Sequence, residues 1–223
     1  MRKYIFTIFI TLSFSACGSS SSSNDSNSNN FNVTPGIYTG TFTTSKGVTG
    51  ELGILITSNG KWAGTDPDSA ATGTVSGDTL TGDDFNAKLT NATGGTYTSE
   101  DISGTFNLSA NTALYNRSSS LSKLNGTWVD NVFTDVTGTV TFTMNNGAIT
   151  MTSVLGCAAM GSVNTIDTTK DEYALSFTVT NCPGFNGVYS GYGYTEDDTF
   201  TDDVLTMVLD SEENFAIFSP VKQ

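Results

Sequence analysis

Hydrophobic and polar residues alternate over many short stretches from about residue 35 onward. Residues 52–56 place three large aliphatic side chains on one face of an extended segment, and residues 139–144 do the same. A two-residue period is typical of antiparallel strands with one buried face. The Asn-Gly pairs at 59–60 and 146–147 predict hairpin turns, because both positions of a type I′ turn favour positive φ. The pattern therefore predicts an all-β protein.

The number of strands in the second half of the chain narrows the fold class. Strands are predicted at 126–133, 137–144, 147–154, 161–166, 172–180, 187–194, 203–209 and 214–219. Eight strands suit a small closed antiparallel barrel, which leaves no free edges. A β-sandwich fits the same pattern and remains the alternative. The only helical expectation is one or two turns at 83–89.

The chain also repeats itself at an offset of between 87 and 93 residues. Gly36-Ile37-Tyr38 matches Gly126-Thr127-Trp128, and the two Asn-Gly pairs match each other. Further matches join 73–75 to 161–163 and 94–97 to 187–189. Because the order of the matches is preserved, a duplication is predicted. It gives two tandem small β-barrel domains, at 35–118 and 119–223, with 118–123 as the link.

The N-terminus has the features of an export signal. Arg2 and Lys3 precede an apolar run over 4–14, and small residues follow it. The run is too short to span a bilayer. Residues 1–16 are therefore predicted to be a signal peptide.

Ser15-Ala16-Cys17 resembles the lipobox of bacterial lipoproteins. This resemblance implies cleavage before Cys17 and attachment of lipid, including palmitate, to its side chain. Gly18 takes the place of the Asp that favours inner-membrane retention in that family, so the resemblance implies an outer-membrane lipoprotein. Residues 17–34 are rich in Ser and Asn and predict a disordered tether that spans roughly 20–25 Å.

Charge excludes some partners. After cleavage, seven basic residues face 22 acidic ones, a net charge of about −15. Such an acidic protein lacks the clustered Lys and Arg that nucleic acids require. Contact with the membrane is expected through the N-terminal lipid alone.

The chain has no histidine, so neither a Ser-His-Asp nor a Cys-His catalytic site can form within it. The absence also argues against a zinc site. With Cys17 assigned to lipid, Cys157 and Cys182 are predicted to form a disulfide, as expected in an exported protein. No metal, cofactor or catalytic residue is predicted.

Gly126-Thr127-Trp128 resembles the G-x-W motif at the first barrel strand of lipocalins and related calycins, and Gly36-Ile37-Tyr38 is a softened copy. In that family a basic residue near the last strand packs over the aromatic ring. Arg117 and Lys222 fall at the corresponding places in the two halves. The resemblance implies calycin-like barrels, and a small apolar ligand inside them.

Two surface features are candidates for binding. Glu196 to Asp203 holds five carboxylates in eight residues, without the spacing of an EF-hand, and is interpreted as a solvated hairpin tip. Tyr192 and Tyr194 lie on one face of a predicted strand and Tyr189 on the other. Exposed tyrosines bind proteins or sugars well, so these three are the possible binding residues.

Together these features predict a non-enzymatic binding or interaction module at the cell envelope, with a protein or glycan partner. A structural or accessory lipoprotein without a small ligand is the first alternative. A lipocalin-like carrier of a small apolar molecule is the second.

Overall fold

The computed structural model describes residues 33–66, 69–99, 102–131, 139–212 and 214–223. Two antiparallel β-barrels follow each other along the chain, as the alternation and the repeat predicted. The segments 1–16 and 17–32, with Cys17, lie outside the described residues. Val33, which lies within the predicted tether, contacts the first barrel: its backbone N–H donates to Gly77 O at 2.9 Å.

The first barrel has eight strands in sequence order: β1 (Gly36–Thr44), β2 (Thr49–Ile56), β3 (Lys61–Asp66), β4 (Ser69–Ser76), β5 (Thr79–Gly82), β6 (Phe85–Asn91), β7 (Gly94–Ser99) and β8 (Ile102–Ala110). β1 pairs with both β2 and β8, which closes the ring. The helical turns predicted at 83–89 are wrong. Ala87 and Leu89 are buried at a spacing of two, and pairing with β5 and β7 makes this segment a strand.

The second barrel has nine strands: β9 (Gly126–Asp130), β10 (Val140–Asn145), β11 (Ala148–Ser153), β12 (Ala158–Thr165), β13 (Tyr173–Thr180), β14 (Gly187–Glu196), β15 (Val204–Asp210), β16 (Phe215–Phe218) and β17 (Val221–Lys222). β15 pairs with β14 and touches β17, and β17 pairs with β9, so eight of the strands form a ring. The strand predicted at 214–219 corresponds to β16, and the short β17 was not predicted. Pro220 separates the two because it carries no N–H for a ladder. In both halves the ring is closed, which gives barrels rather than sandwiches.

The link between the barrels is longer and more ordered than 118–123. Two single-turn helices, α1 (Thr112–Tyr115) and α2 (Leu121–Leu124), lie between β8 and β9. Asn111 caps α1 by accepting from Leu114 N at 3.1 Å. Both helices pack on the barrels through the buried side chains of Leu114, Tyr115 and Leu124.

The repeat holds for the first four strands of each barrel. Tyr38 and Trp128 stand at equivalent places on β1 and β9, and both side chains lie in the cores. The Tyr38 hydroxyl donates to Thr34 O at 2.7 Å, and Trp128 Nε1 donates to Leu124 O at 2.8 Å, so each bonds four residues back. The match of 94–97 to 187–189 fails, because it pairs the seventh strand of one barrel with the sixth of the other.

Lys222 covers the indole of Trp128, as the calycin resemblance implied. Its Nζ lies 5.3 Å from the ring centroid and donates to Lys123 O at 2.6 Å. Arg117 was expected to pack in the same way over the aromatic ring of the first barrel, and this expectation is wrong. Its guanidinium instead pairs with Asp197 at 2.6 and 2.7 Å, because the linker carries it to the acidic hairpin of the second barrel.

The two barrels pack side by side through a buried apolar cluster. Ile37 and Leu55 face outward from the first barrel and meet Leu114, Tyr115 and Tyr194. β4 of the first barrel also packs against β15 and β16. The cluster removes large apolar side chains of both barrels from water, which favours a fixed arrangement of the two.

Candidate functional site

The two ends of the second barrel differ in character. At one end, called here the closed end, α2, Trp128 and the connection 166–172 cover the core. At the other end, called the mouth, the connections 154–157 and 181–186 adjoin an apolar cavity of about 40 Å³. The cavity is lined by apolar side chains that include Leu155, Phe177, Phe185 and Phe218.

The disulfide between Cys157 and Cys182 forms as predicted, and both cysteines line the mouth. It ties the connection 154–157 to the connection 181–186. Ser153 Oγ accepts from Cys157 N at 3.2 Å, and Asn186 Oδ1 accepts from Cys182 N at 2.8 Å. The rim of the mouth is therefore held at both of these connections.

Two large apolar side chains project from this rim into solvent. Val154 is 71% exposed and Leu155 is 55% exposed at the tip of a hairpin turn. Phe185 stands partly buried in the neighbouring connection. Exposed apolar side chains that adjoin an apolar cavity are a feature of interaction sites.

The closed end holds a group of buried polar side chains. Glu172 is fully buried and accepts from Ser58 N at 2.9 Å and from the Tyr115 hydroxyl at 3.1 Å. The Ser58 hydroxyl also donates to Glu172. These contacts join the first barrel, the linker and the second barrel at one carboxylate.

Asp171 is the neighbour of Glu172 and is equally buried. Its Oδ2 accepts from Thr195 N at 3.1 Å and from Thr195 Oγ1 at 2.8 Å. Burial raises its pKa to about 6. Asp171 Oδ1 and the Tyr173 hydroxyl have no hydrogen-bond partner within the described part of the chain. This cluster is enclosed by protein.

The acidic hairpin is organised by its own backbone and by the linker. Asp203 accepts from the N–H groups of Asp198, Thr199 and Phe200 at 2.7 to 2.9 Å, which holds its pKa below the usual range. Asp202 pairs with Lys123 at 2.8 Å. In the residues that the structure describes, no group of three or more potential metal ligands lies together.

The three candidate tyrosines lie on the faces that the sequence predicted, but none forms an exposed strip. Tyr189 is 2% exposed inside the barrel, and its hydroxyl donates to Phe185 O at 3.1 Å. Tyr194 is 9% exposed in the cluster between the barrels, and Tyr192 packs against that cluster. Packing therefore accounts for all three.

The structure adds residues that sequence reasoning missed. Phe185 is an isolated apolar residue in a connection that carries no periodic signal. Glu172 adjoins Asp171 in a polar stretch that is typical of an exposed turn. A hydrophobic pair at the tip of a turn, Val154-Leu155, was the one local signal for the mouth.

A comparison with protein-family models, with curated proteins and with solved structures finds no match to this chain. Within the described ranges, none of the helices is long and apolar enough to cross a membrane.

Proposed function

We propose that this protein is an outer-membrane lipoprotein that acts as a non-enzymatic interaction module, and that the mouth of its second barrel receives an apolar side chain of a partner protein. The observation that carries this proposal is the exposed Val154-Leu155 pair beside the apolar cavity. Leu155 belongs to both features, because it is exposed on the rim and also lines the cavity.

The size of the cavity favours an interaction site over a carrier. A cavity of about 150 Å³ is needed to hold benzene, and ligand pockets usually measure about 300–1,000 Å³. The 40 Å³ at the mouth accommodates a methyl group or the tip of a side chain. A carrier of whole apolar molecules requires a larger enclosed space than this barrel has.

The buried polar cluster favours a non-enzymatic role. Asp171 has a raised pKa, which is a common property of catalytic acids. However, Asp171 and Thr195 are both 0% exposed, and the hydrogen bonds of their side chains stay within the protein, to each other and to Asp202. A substrate has no access to them without opening the closed end.

The position of the mouth suits a protein that is anchored at its N-terminus. Val33 bonds to the β4–β5 turn, which lies at the same end of the first barrel as Ser58 in the β2–β3 turn. Ser58 contacts Glu172 at the closed end of the second barrel. The described chain therefore begins beside the closed end, and the mouth lies at the opposite end, away from a tether that starts at Cys17.

The anchor is tested by labelling cells with radioactive palmitate. The wild-type protein should incorporate the label and Cys17→Ser should not. Label that persists in the variant would contradict the lipoprotein proposal.

The mouth is tested by placing a photo-crosslinking amino acid at position 155 in intact cells, with position 48 as the control. Val48 is also an exposed apolar residue, at 41%, but lies in a turn of the first barrel. One discrete protein adduct from position 155 alone is expected. Unlabelled wild-type protein and Val48→Asp should compete for the partner and reduce the yield of the adduct, whereas Leu155→Asp should not. The same adducts from both positions would contradict the proposal.

A further inference from the structure

A second cavity lies between the two barrels, on the side of the mouth. It is an open groove of about 940 Å³. One wall comes from Thr72, Thr74 and Thr81 on β4 and β5. The other comes from β14, the end of β15, and Ser211, Glu212 and Asn214 beyond it. Its volume falls in the range of ligand-binding pockets, about 300–1,000 Å³.

Hydroxyl and amide groups dominate the lining of this groove. Thr72, Thr74 and Thr81 face Ser190, and Ser211 and Asn214 lie near its end. A hydroxyl both donates and accepts hydrogen bonds, and a carboxamide does both with separate atoms. Val188 is the one large apolar residue among the lining residues. The groove therefore offers many hydrogen-bonding groups beside a similar share of apolar surface.

Two of the amides are already held in position. Asn186 Oδ1 accepts from Cys182 N at 2.8 Å, and Asn214 Nδ2 donates to Gly184 O at 3.1 Å. The buried contacts of Glu172 fix one barrel against the other. A groove whose walls and side chains are fixed before binding loses less entropy when it takes a ligand.

The charges of the lining decide the class of ligand. Asp83, Asp210 and Glu212 supply carboxylates, and neither Lys nor Arg is among the lining residues. Such a lining repels phosphates and acidic sugars. Each of the three carboxylate residues already has an interaction within the protein. These carboxylates are therefore already engaged within the protein. The hydroxyls and amides of the lining are the groups left to bind a ligand, and they match an uncharged ligand rich in hydroxyl groups.

We propose that the groove between the barrels is a binding site for a neutral oligosaccharide chain. The sugar hydroxyls would exchange hydrogen bonds with the threonines of the first barrel and with Ser190 of the second. Both barrels are needed, because each supplies one wall. This site does not include Leu155 and does not depend on the role of the mouth.

The test is calorimetric titration of the full chain, purified in detergent, with three probes. These are cellohexaose and chitohexaose, as neutral chains, and a hexamer of galacturonic acid, as an anionic chain. Saturable binding of a neutral hexamer is expected, with no binding of the anionic one. A long cationic side chain placed across the groove, in Ser190→Arg or Thr81→Arg, should weaken binding at least tenfold.

Ser103→Arg is the matched control, because Ser103 is an exposed residue on β8, across the ring from β4. It should bind as the wild type does. Trp62 and Trp128 fluorescence verifies that each variant has folded barrels. Failure of both neutral hexamers to bind, or binding that survives both Ser190→Arg and Thr81→Arg, overturns the proposal. Binding of hexalysine in place of the sugars would also overturn it and would indicate a cationic peptide site.

Discussion

Glu172 of the second barrel accepts hydrogen bonds from both the backbone and the hydroxyl of Ser58 in the first barrel, across 114 residues of sequence. The Tyr115 hydroxyl of the linker donates to the same carboxylate. The two barrels are thus joined by a buried polar contact as well as by an apolar one. Their unfolding should be coupled through it.

Replacing Glu172 by Ala should lower the free energy of unfolding by about 3 kcal/mol or more. The substitution leaves the buried Tyr115 hydroxyl without an acceptor, which costs about 1–3 kcal/mol. It also removes two hydrogen bonds from the exposed Ser58, each worth about 0.5–1.5 kcal/mol. Urea unfolding is followed by fluorescence, because the only two tryptophans report on one barrel each. We expect one shared transition in the wild type and two separate ones in Glu172→Ala. Glu51→Ala, which removes an exposed carboxylate on β2, should change stability by less than about 0.5 kcal/mol.

Replacing Asp171 by Asn should stabilise the protein at neutral pH. Burial raises the pKa of Asp171 to about 6 in the folded state, from an unfolded value near 4. The folded protein therefore binds the proton more tightly, and this residue lowers stability as the pH rises from about 4 to 6. Two units of pKa correspond to about 2–3 kcal/mol. The gain from Asp171→Asn should appear fully at pH 7 and disappear near pH 4.

Asp203→Asn should have the opposite effect on stability to Asp171→Asn at neutral pH. Three backbone N–H groups lower the pKa of Asp203, so its carboxylate stabilises the fold above its unfolded pKa and loses that effect as the pH falls. Asp203→Asn should therefore be destabilising at pH 7 and nearly neutral in acid. The urea midpoint of each variant is compared with that of the wild type at several pH values. If the two differences change in the same direction with pH, the opposite pKa shifts of Asp171 and Asp203 are contradicted.

Removing the disulfide should cost about 3 kcal/mol. Cys157 and Cys182 are 25 residues apart, and closing a loop of this length restricts the unfolded chain by about that amount. The double variant Cys157→Ala/Cys182→Ala should show a correspondingly lower urea midpoint. Dithiothreitol should lower the midpoint of the wild type and leave that of the double variant unchanged. Two alkylatable thiols in freshly isolated protein would show that the bond is absent.

Lys222→Met should destabilise the second barrel by about 1–2 kcal/mol. Methionine keeps much of the length of the side chain but removes both the charge over Trp128 and the hydrogen bond to Lys123 O. Trp128 emission should change with it, and the shared unfolding transition should move to a lower urea concentration because the two barrels unfold together. Lys46→Met, at an exposed turn residue, should have neither effect.

The fold was predictable where side chains repeat with a clear period. The alternation at 52–56 and 139–144 lies on β2 and β10 with the expected residues buried, and the Asn-Gly pairs occupy the turns that follow these strands. Only Asn146-Gly147 has positive φ at both positions, 47° and 88°. Asn59 lacks it, because Gly60 there closes a longer turn from Thr57.

The candidate sites were less predictable, because they arise from contacts between segments that are distant in sequence. The tyrosine pattern on β14 gave the two faces correctly, yet it did not show that the first barrel covers the outer one. Glu172 has the composition of a surface turn and becomes buried only when the linker folds over it. Thr72 and Thr74 alternate with the core residues Ala71 and Val75 on β4, but nothing in the sequence shows that a second barrel lies opposite them.

Burial of Glu172 also bears on the history of the duplication. Two equal copies that arose together could at first have folded and diverged independently. Once one copy supplied the carboxylate and the other supplied Ser58, neither could be lost or exchanged without exposing unmatched polar groups and a hydrophobic face. The internal repeat therefore does not mark two interchangeable modules, because each barrel contributes one half of this shared contact.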